Sequence, residues 1–349
     1  MKTIFQKDLW SITSFLENKK YNFDKDNILA QLPEKFIDEA IEVISSWDNY
    51  VPTPLLQLSK LNDELKLNNI YYKDEDKRFD LKSFKALGGA FAVYKIANEK
   101  KDITVSTATA GNHGRSVAWG AQRLGLKCKI FISEFVSESR AEAMRNLDAE
   151  VIRVKGNYDN SLKECIEQSN KNNWEIVQDV SWEGYKEVPK LIMAGYTIMV
   201  KEIIDEIDKN SITHVFLQAG VGGMAAAMIA GFAKLSKNIP RFIIIEPENA
   251  NCVFQSIENN KPTTVDIKKE TVMGGMSCGD VSSIAWEILK NSANYCLTIP
   301  DDAISTAVAL LAEARLSDEK IIGGECAVPG VIALIGSFNN KEYLDKLKL

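Results

Sequence analysis

The stretch SFKALGG, Ser83 to Gly89, sets a lysine where lysines seldom gain anything from solvation. Most lysines in YYKDEDKRFDLKSFKALGGAFAVYKIANEKK stand among other charges. Lys85 instead follows Phe84 and precedes Ala86, Leu87, Gly88, Gly89 and Ala90. An amine drawn partly out of water and near another positive group has a lowered pKa, and it attacks carbonyls to form Schiff bases. Taken alone, Lys85 reads more readily as a helix-surface lysine that snorkels to water.

A second stretch, QAGVGGMAAA from Gln218 to Ala227, runs an apolar strand into Gly220, Gly222 and Gly223 ahead of a helix. Glycines let successive backbone N–H groups face one small space, and the helix dipole adds to them, which makes a cradle for a phosphate. A tight strand–helix turn without a ligand explains the same residues. The spacing is not G-x-G-x-x-G and no Walker lysine follows, which argues against a dinucleotide or a nucleoside triphosphate. A third stretch, STATAGNHGRSVAWG, has Gly111 and Gly114 framing Asn112 and His113 at another strand–helix junction. The N–H groups of such a turn suit a carboxylate, and Asn112 suits a ring hydroxyl or oxyanion. Helix capping by Thr109 or Asn112 is the plainer reading, and a histidine in that position is more often structural. Together, in one chain and in this order, the three stretches supply a covalent amine, a ring contact and a phosphate seat. Pyridoxal phosphate needs all three.

The elements that must position these residues follow from periodicity. The 349-residue chain is 45% hydrophobic and 26% charged, an ordinary globular composition with room for two domains. Its net charge of −6, with no dominant basic stretch, argues against nucleic acid or an anionic membrane as partner. The six cysteines are scattered, none as CxxC, and there are two histidines, so no metal site is expected. The same scatter suggests a reducing, cytoplasmic setting. The N-terminal segment MKTIFQKDLWSITSFLENKK reads as neither signal peptide nor anchor. PEKFIDEAIEVISSW, residues 33 to 47, reads as an amphipathic helix, VPTPLLQLSKL as a break before a helix, and NIYYKDE as a short strand. From residue 103, strands at ITVSTA, CKIFIS, EVIRV and WEIVQD alternate with helices at GNHGRSVAWGAQRLG, SESRAEAMRNLD and NSLKECIEQSNKNN. A second series places strands at THVFLQ, RFIIIEP and ANYCLTIP and helices at GVGGMAAAMIAGFAKL and DDAISTAVALLAEA. Strict alternation implies α/β units, each a parallel-rich sheet flanked by helices.

These motifs, with PTPL (Pro52 to Leu55), KDEDKRFDLKSFKALGG, TAGNHGRSVAWGAQRLG, IVQDVSWEGYKEVPKLIMAGY, AGVGGMA, VMGGMSCGDVSSIAWEIL and GGECAVPGVIAL, resemble the fold type II pyridoxal-phosphate enzymes. That group includes threonine dehydratase and tryptophan synthase β, and the closer likeness is to the diaminopropionate ammonia-lyase family, from about Tyr50 onward. The resemblance implies a two-domain α/β enzyme. A large cofactor-binding domain would comprise 1–88 and 190–349, and a small substrate-side domain 89–189. It implies that Lys85 carries the cofactor as a Schiff base beside Phe84, that Asn112 contacts the ring oxygen, and that Gly220, Val221, Gly222, Gly223 and Met224 seat the phosphate. The turn of Thr109, Ala110, Gly111 and His113 would receive the substrate carboxylate. Asp179, which by itself reads as a helix N-cap, would take the Cα proton of the L-isomer. The implied reaction converts 2,3-diaminopropionate to pyruvate and two ammonia molecules, in a homodimer.

Three positions depart from the family pattern. Where the family commonly reads TDGNHG, Ala110 replaces the aspartate associated with the D-isomer, which predicts L-selective turnover. GESG is GECA at Gly324 to Ala327. The family continues past a segment like KEYLDKLKL into a further strand whose hydroxyl faces the pyridine nitrogen, so either the sequence is truncated or another group has that task. Two alternatives stay open: a serine, threonine or hydroxyaspartate dehydratase with the same cofactor, and a degenerate, non-catalytic pyridoxal-binding protein.

Overall fold

A computed structural model describes residues 8–109, 111–208 and 211–349. In chain order the elements are β1 (Ser14–Glu17), α1 (Lys25–Gln31), α2 (Glu34–Ser45), β2 (Leu55–Gln57), α3 (Ser59–Leu65), β3 (Tyr71–Lys73), α4 (Lys85–Glu99), β4 (Thr104–Ala108), α5 (Asn112–Arg123), β5 (Lys127–Ser133), α6 (Glu138–Arg145), β6 (Glu150–Val154), α7 (Tyr158–Asn172), β7 (Glu175–Ile176), α8 (Glu187–Tyr196), α9 (Ile198–Glu206), β8 (His214–Gln218), α10 (Gly223–Leu235), β9 (Arg241–Pro247), α11 (Cys252–Asn259), α12 (Ser283–Ser292), β10 (Tyr295–Ile299), α13 (Ile304–Ala312), α14 (Pro329–Phe338) and α15 (Lys341–Leu347). No helix among the described residues is long and apolar enough to cross a membrane. The chain packs as two compact units. One is built from Met1–Gln31, Thr53–Asp74 and Met199–Leu349, the other from Leu32–Pro52 and Glu75–Ile198.

The second of these units holds an all-parallel sheet in the order β6-β5-β4-β7. Parallel strands buried on both faces need continuous apolar runs, and Ile130, Phe131 and Ile132 of β5 are all buried. Ala108, Phe131 and Cys165 form a small core closed by Ile152, Val154, Leu162 and Trp174. WEIVQD contributes only Glu175 and Ile176 to the ladder, because the groups that follow are taken elsewhere, as the site below shows.

Helix α4 lies against α5 and α8 at distances that only glycine allows. A Cβ on Gly88 would come within 2.5 Å of the Ile192 carbonyl oxygen, and one on Gly195 within 2.7 Å of the Leu87 carbonyl oxygen. The segment leading into α4 is held by Arg78, whose buried guanidinium donates through Nε and Nη2 to the two carboxylate oxygens of Glu75, both at 2.8 Å. Phe79, Asp80 and Lys82 take positive φ values of 49°, 57° and 54°, a conformation that costs non-glycine residues energy and persists where packing imposes it. Phe79 stacks on Trp119 at 4.6 Å, and Arg123 lies over both Trp119 and Trp47.

The other unit carries a sheet in the order β1-β10-β9-β8, with β1 antiparallel and the rest parallel, and a separate antiparallel pair β2-β3. Neither β1 nor β2 is apparent from the sequence. LLQ falls inside the expected break, yet it pairs with YYK, and SFLE covers the edge that β10 would otherwise leave open. Ile243 and Ile245 of β9 and Leu297 and Ile299 of β10 meet Val331, Ile332 and Ile335 of α14 in the main core.

Candidate active site

The first group of site residues lies within the unit formed by Leu32–Pro52 and Glu75–Ile198. Lys85 is the first residue of α4. Its carbonyl oxygen accepts a hydrogen bond from Ser116 Oγ at 2.5 Å, which ties the start of α4 to α5. Its Nζ donates to Asp179 Oδ2 in an ion pair, and lies 5.8 Å from the centre of the Phe84 ring. Phe84 in turn meets Tyr196 edge-on at 4.9 Å. The Lys85 side chain is 28% exposed, and the Asp179 carboxylate compensates its ammonium.

Asp179 is aimed by its neighbours. Gln178 next to it is locked to β4. Its Oε1 accepts from Thr107 Oγ1 at 2.8 Å and from the Ala108 N–H at 3.1 Å, and its Nε2 donates to the Ala108 carbonyl at 2.9 Å. The Gln178 N–H donates to Tyr185 Oη, which donates to the Ile176 carbonyl. Val177 donates its N–H to the Ser106 carbonyl, and its own carbonyl accepts from His113 Nε2 at 2.8 Å. These bonds end β7 after two residues and turn the chain so that the next carboxylate reaches Lys85. Neither Gln178 nor Tyr185 stands out from the sequence, although both lie in the QDVSWEGY stretch.

The STATAGNHG turn divides its hydrogen bonds. Thr109, buried, accepts from the Gly111 N–H at 3.1 Å and the Gly114 N–H at 3.3 Å through its hydroxyl. Thr109 therefore caps the turn, while Asn112 begins α5 with an exposed side chain. His113 is buried, and its Nδ1 stands 3.8 Å from Asp179 Oδ2. Ala110 lies outside the described residues.

Charge in this cluster follows from burial and proximity. Burial alone would raise the Asp179 carboxyl, but in acid, where His113 is protonated, its charge together with the charge and hydrogen bond of Lys85 carries it well below the usual carboxylate range. Burial lowers His113, which keeps its imidazole neutral near pH 7; Asp179 opposes this shift and Lys85 adds to it. The Tyr196 phenol is raised by burial, with Lys85 pulling the other way.

The glycine turn belongs to the other unit. β8 ends at Gln218, and α10 begins at Gly223 with Gly222 as its cap in a left-handed conformation, φ 86°. A Cβ on Gly222 would come within 2.8 Å of Leu289 Cδ1, and one on Gly220 within 3.0 Å of Cys278 Sγ. Ser282 donates its N–H to the Val221 carbonyl at 2.9 Å. The turn is thus packed too tightly for side chains, and the first N–H groups of the thirteen-residue α10 have no intrahelical acceptor.

Residues 47–345 match the model of a family described as pyridoxal-phosphate dependent enzyme. Diaminopropionate ammonia-lyase from Escherichia coli (strain K12) is 33% identical over 336 residues, covering 90% of this chain and 84% of that one. The chain belongs to the pyridoxal-phosphate dependent enzymes, in the diaminopropionate ammonia-lyase family. A solved structure of the Escherichia coli lyase, in complex with an aminoacrylate–PLP azomethine reaction intermediate, superposes with a TM-score of 0.88 at 31% identity, covering 97% of this chain and 91% of that one. The biosynthetic L-threonine dehydratase of Salmonella typhimurium is more distant, 27% identical over 289 residues, covering 82% of this chain and 53% of that one. The fold is that of the type II pyridoxal-phosphate enzymes, and the cofactor of this lyase family is pyridoxal 5′-phosphate.

The residues present fit that cofactor. Its aldehyde requires a primary amine that is not lost to bulk water, and the Lys85 amine is held in the apolar surround of Phe84 and Tyr196. Its phosphate requires a helix N-terminus that no side chain fills, and the Gly220–Gly223 turn ahead of α10 has that form.

Proposed function

We propose that the protein eliminates the β-amino group of L-2,3-diaminopropionate, converting the diamine and one water to pyruvate and two ammonia molecules. Lys85 holds pyridoxal phosphate and Gly220 to Met224 receive its phosphate. Phe84 and Asn112 border the ring, and Thr109 to His113 receive the substrate carboxylate. The segment 89–189 acts on the substrate side, and 1–88 with 190–349 on the cofactor side. The cofactor, when bound, supplies an electron sink for the pair left on Cα.

The observation that carries this reading is the ion pair between Lys85 Nζ and Asp179 Oδ2, braced by Gln178 and His113. A carboxylate beside an ammonium is a weak base. Once the Lys85 amine is committed to the cofactor, its full charge no longer faces Asp179, and the carboxylate gains proton affinity where a Cα proton must be taken. Asp179 is thus held idle as a base while the full charge of Lys85 faces it. Because position 110 is alanine, no carboxylate stands there to serve the D-isomer, and the L-isomer is favoured. The protein works as a cytoplasmic homodimer, in line with its scattered cysteines and the family's habit.

The test is pyruvate release by the cofactor-loaded protein with L-diaminopropionate, D-diaminopropionate and L-serine in parallel. Release from the L-diamine alone is expected. Preference for serine would make the protein a dehydratase, and equal turnover of the D-isomer would overturn the meaning given to Ala110. Lys85→Ala should remove the visible absorption of the bound cofactor; a band that survives unaltered would sink the role of Lys85. A protein that keeps the band but turns over none of the three substrates would be a non-catalytic binder.

A further inference from the structure

The tautomer of His113 is set by its surroundings. The Val177 carbonyl can only accept, so Nε2, at 2.8 Å, carries the hydrogen. The neutral ring then presents a bare lone pair at Nδ1. That atom is buried and has no hydrogen-bond partner among the described residues, which is costly for a polar atom with nothing to accept from. What it faces is Asp179 Oδ2, 3.8 Å away. Two lone pairs held face to face repel while Asp179 is ionised and paired with Lys85. They attract as soon as a proton lies between them.

We propose that His113 is a positioning residue that accepts, at Nδ1, the proton Asp179 has taken from substrate Cα. The inference rests on the reading of Asp179 as the base. In the first transfer the Cα–H bond breaks, its electron pair stays on carbon, and an O–H bond forms at Oδ2. In the second, that O–H bond breaks and an N–H bond forms at Nδ1, which leaves imidazolium beside carboxylate. The Nε2–H···O=C bond to Val177 persists throughout and fixes the ring against rotation. The proton is then one residue removed from Cα, so its return to carbon is suppressed. Lys85 on α4, Tyr196 at the end of α8 and Tyr185, which accepts from the Gln178 N–H, are the other ionisable groups around Asp179 among the described residues. Lys85 is the group whose engagement frees Oδ2 to turn toward the ring.

The separating variant is His113→Gln, whose amide keeps a donor for the Val177 carbonyl and cannot take up a proton. In the holoenzyme it should retain the cofactor's visible band. Its kcat should fall about 10²-fold, a loss on the scale of general acid–base catalysis, with KM within about twofold. Wild-type kcat in His113→Gln would overturn the inference. So would an equal loss in kcat and cofactor binding, which a merely structural histidine gives. Independently of any variant, ¹⁵N NMR of the histidine-labelled holoenzyme should show His113 as the Nε2–H tautomer, with His214→Gln assigning the second of the chain's two histidines. An Nδ1–H tautomer would refute the proposal. Asp179→Asn separates the two levels. If it leaves Cα–H cleavage intact, the base assignment itself fails. If it stops cleavage while His113→Gln is unimpaired, only the role of His113 falls.

Discussion

Glu246 on β9 is fully buried, and its carboxylate accepts from the Val253 and Phe254 N–H groups at 2.8 and 2.7 Å. Both donors are neutral backbone groups at the start of α11, and burial pushes the carboxyl up from 4.5 to about 8. A shift of about 3.5 units at about 1.36 kcal/mol each is about 5 kcal/mol, an upper bound on the effect. The folded state binds this proton more tightly than the unfolded chain does. Between pH 4.5 and 8 it therefore carries more protons, and stability falls as pH rises through that window, by up to about 1.4 kcal/mol per unit. Above about pH 8 the full penalty is present; below about pH 4.5 it vanishes. Glu246→Gln is neutral throughout and loses one acceptor, a pH-independent offset of about 1–3 kcal/mol. Urea unfolding of both proteins at pH 5.5 and 7.5 measures the difference. Wild type should lose up to about 2.7 kcal/mol more than the variant over that interval. His113 and His214, both lowered by burial, contribute stability that grows as pH rises, but equally in both proteins. Parallel pH dependences would refute the reasoning and show that two N–H groups at a helix N-terminus suffice to keep a buried carboxylate ionised.

Gly195→Ala should cost about 1–3 kcal/mol by overpacking, because its Cβ would meet the Leu87 carbonyl and Gly88 Cα; thermal unfolding checks this, and kcat should fall with it as α4 shifts. Arg78→Leu should cost about 3–5 kcal/mol by removing the bidentate partner of the mostly buried Glu75, with Arg78→Lys a poor rescue because it cannot make the bidentate contact; urea unfolding reports both. Gly222→Ala should cost about 1–2 kcal/mol for the left-handed backbone alone, and titration with pyridoxal phosphate should show weaker binding as the turn is forced away from Leu289.

What could be read without coordinates was local. Lys85 stands out because one dipeptide step changes its surroundings from charged to apolar. The glycine turns at 111 and 220 to 223 stand out because glycine marks backbone that side chains would block. The α/β class follows from the period of the apolar residues, and the helix at Glu34–Ser45 and strands such as Lys127–Ser133 sit where that period places them. What depended on distant partners was not legible. SFLE becomes a strand only because the edge of β10, some 280 residues later, needs a neighbour. WEIVQD yields a two-residue strand because His113, far upstream, claims the Val177 carbonyl and Tyr185 claims the Gln178 N–H, the groups that would have extended it. The sequence by itself determined which groups can do the chemistry: an amine, a carboxylate, an imidazole and a turn of bare N–H groups. Tertiary structure decided which of them face one another. Asp179 reaches Lys85 across 94 positions of chain, and the lone pair of His113 is turned toward it by a single carbonyl at Val177. Residue types set proton affinities in water; only folding, by removing water and choosing neighbours, makes those affinities depend on one another.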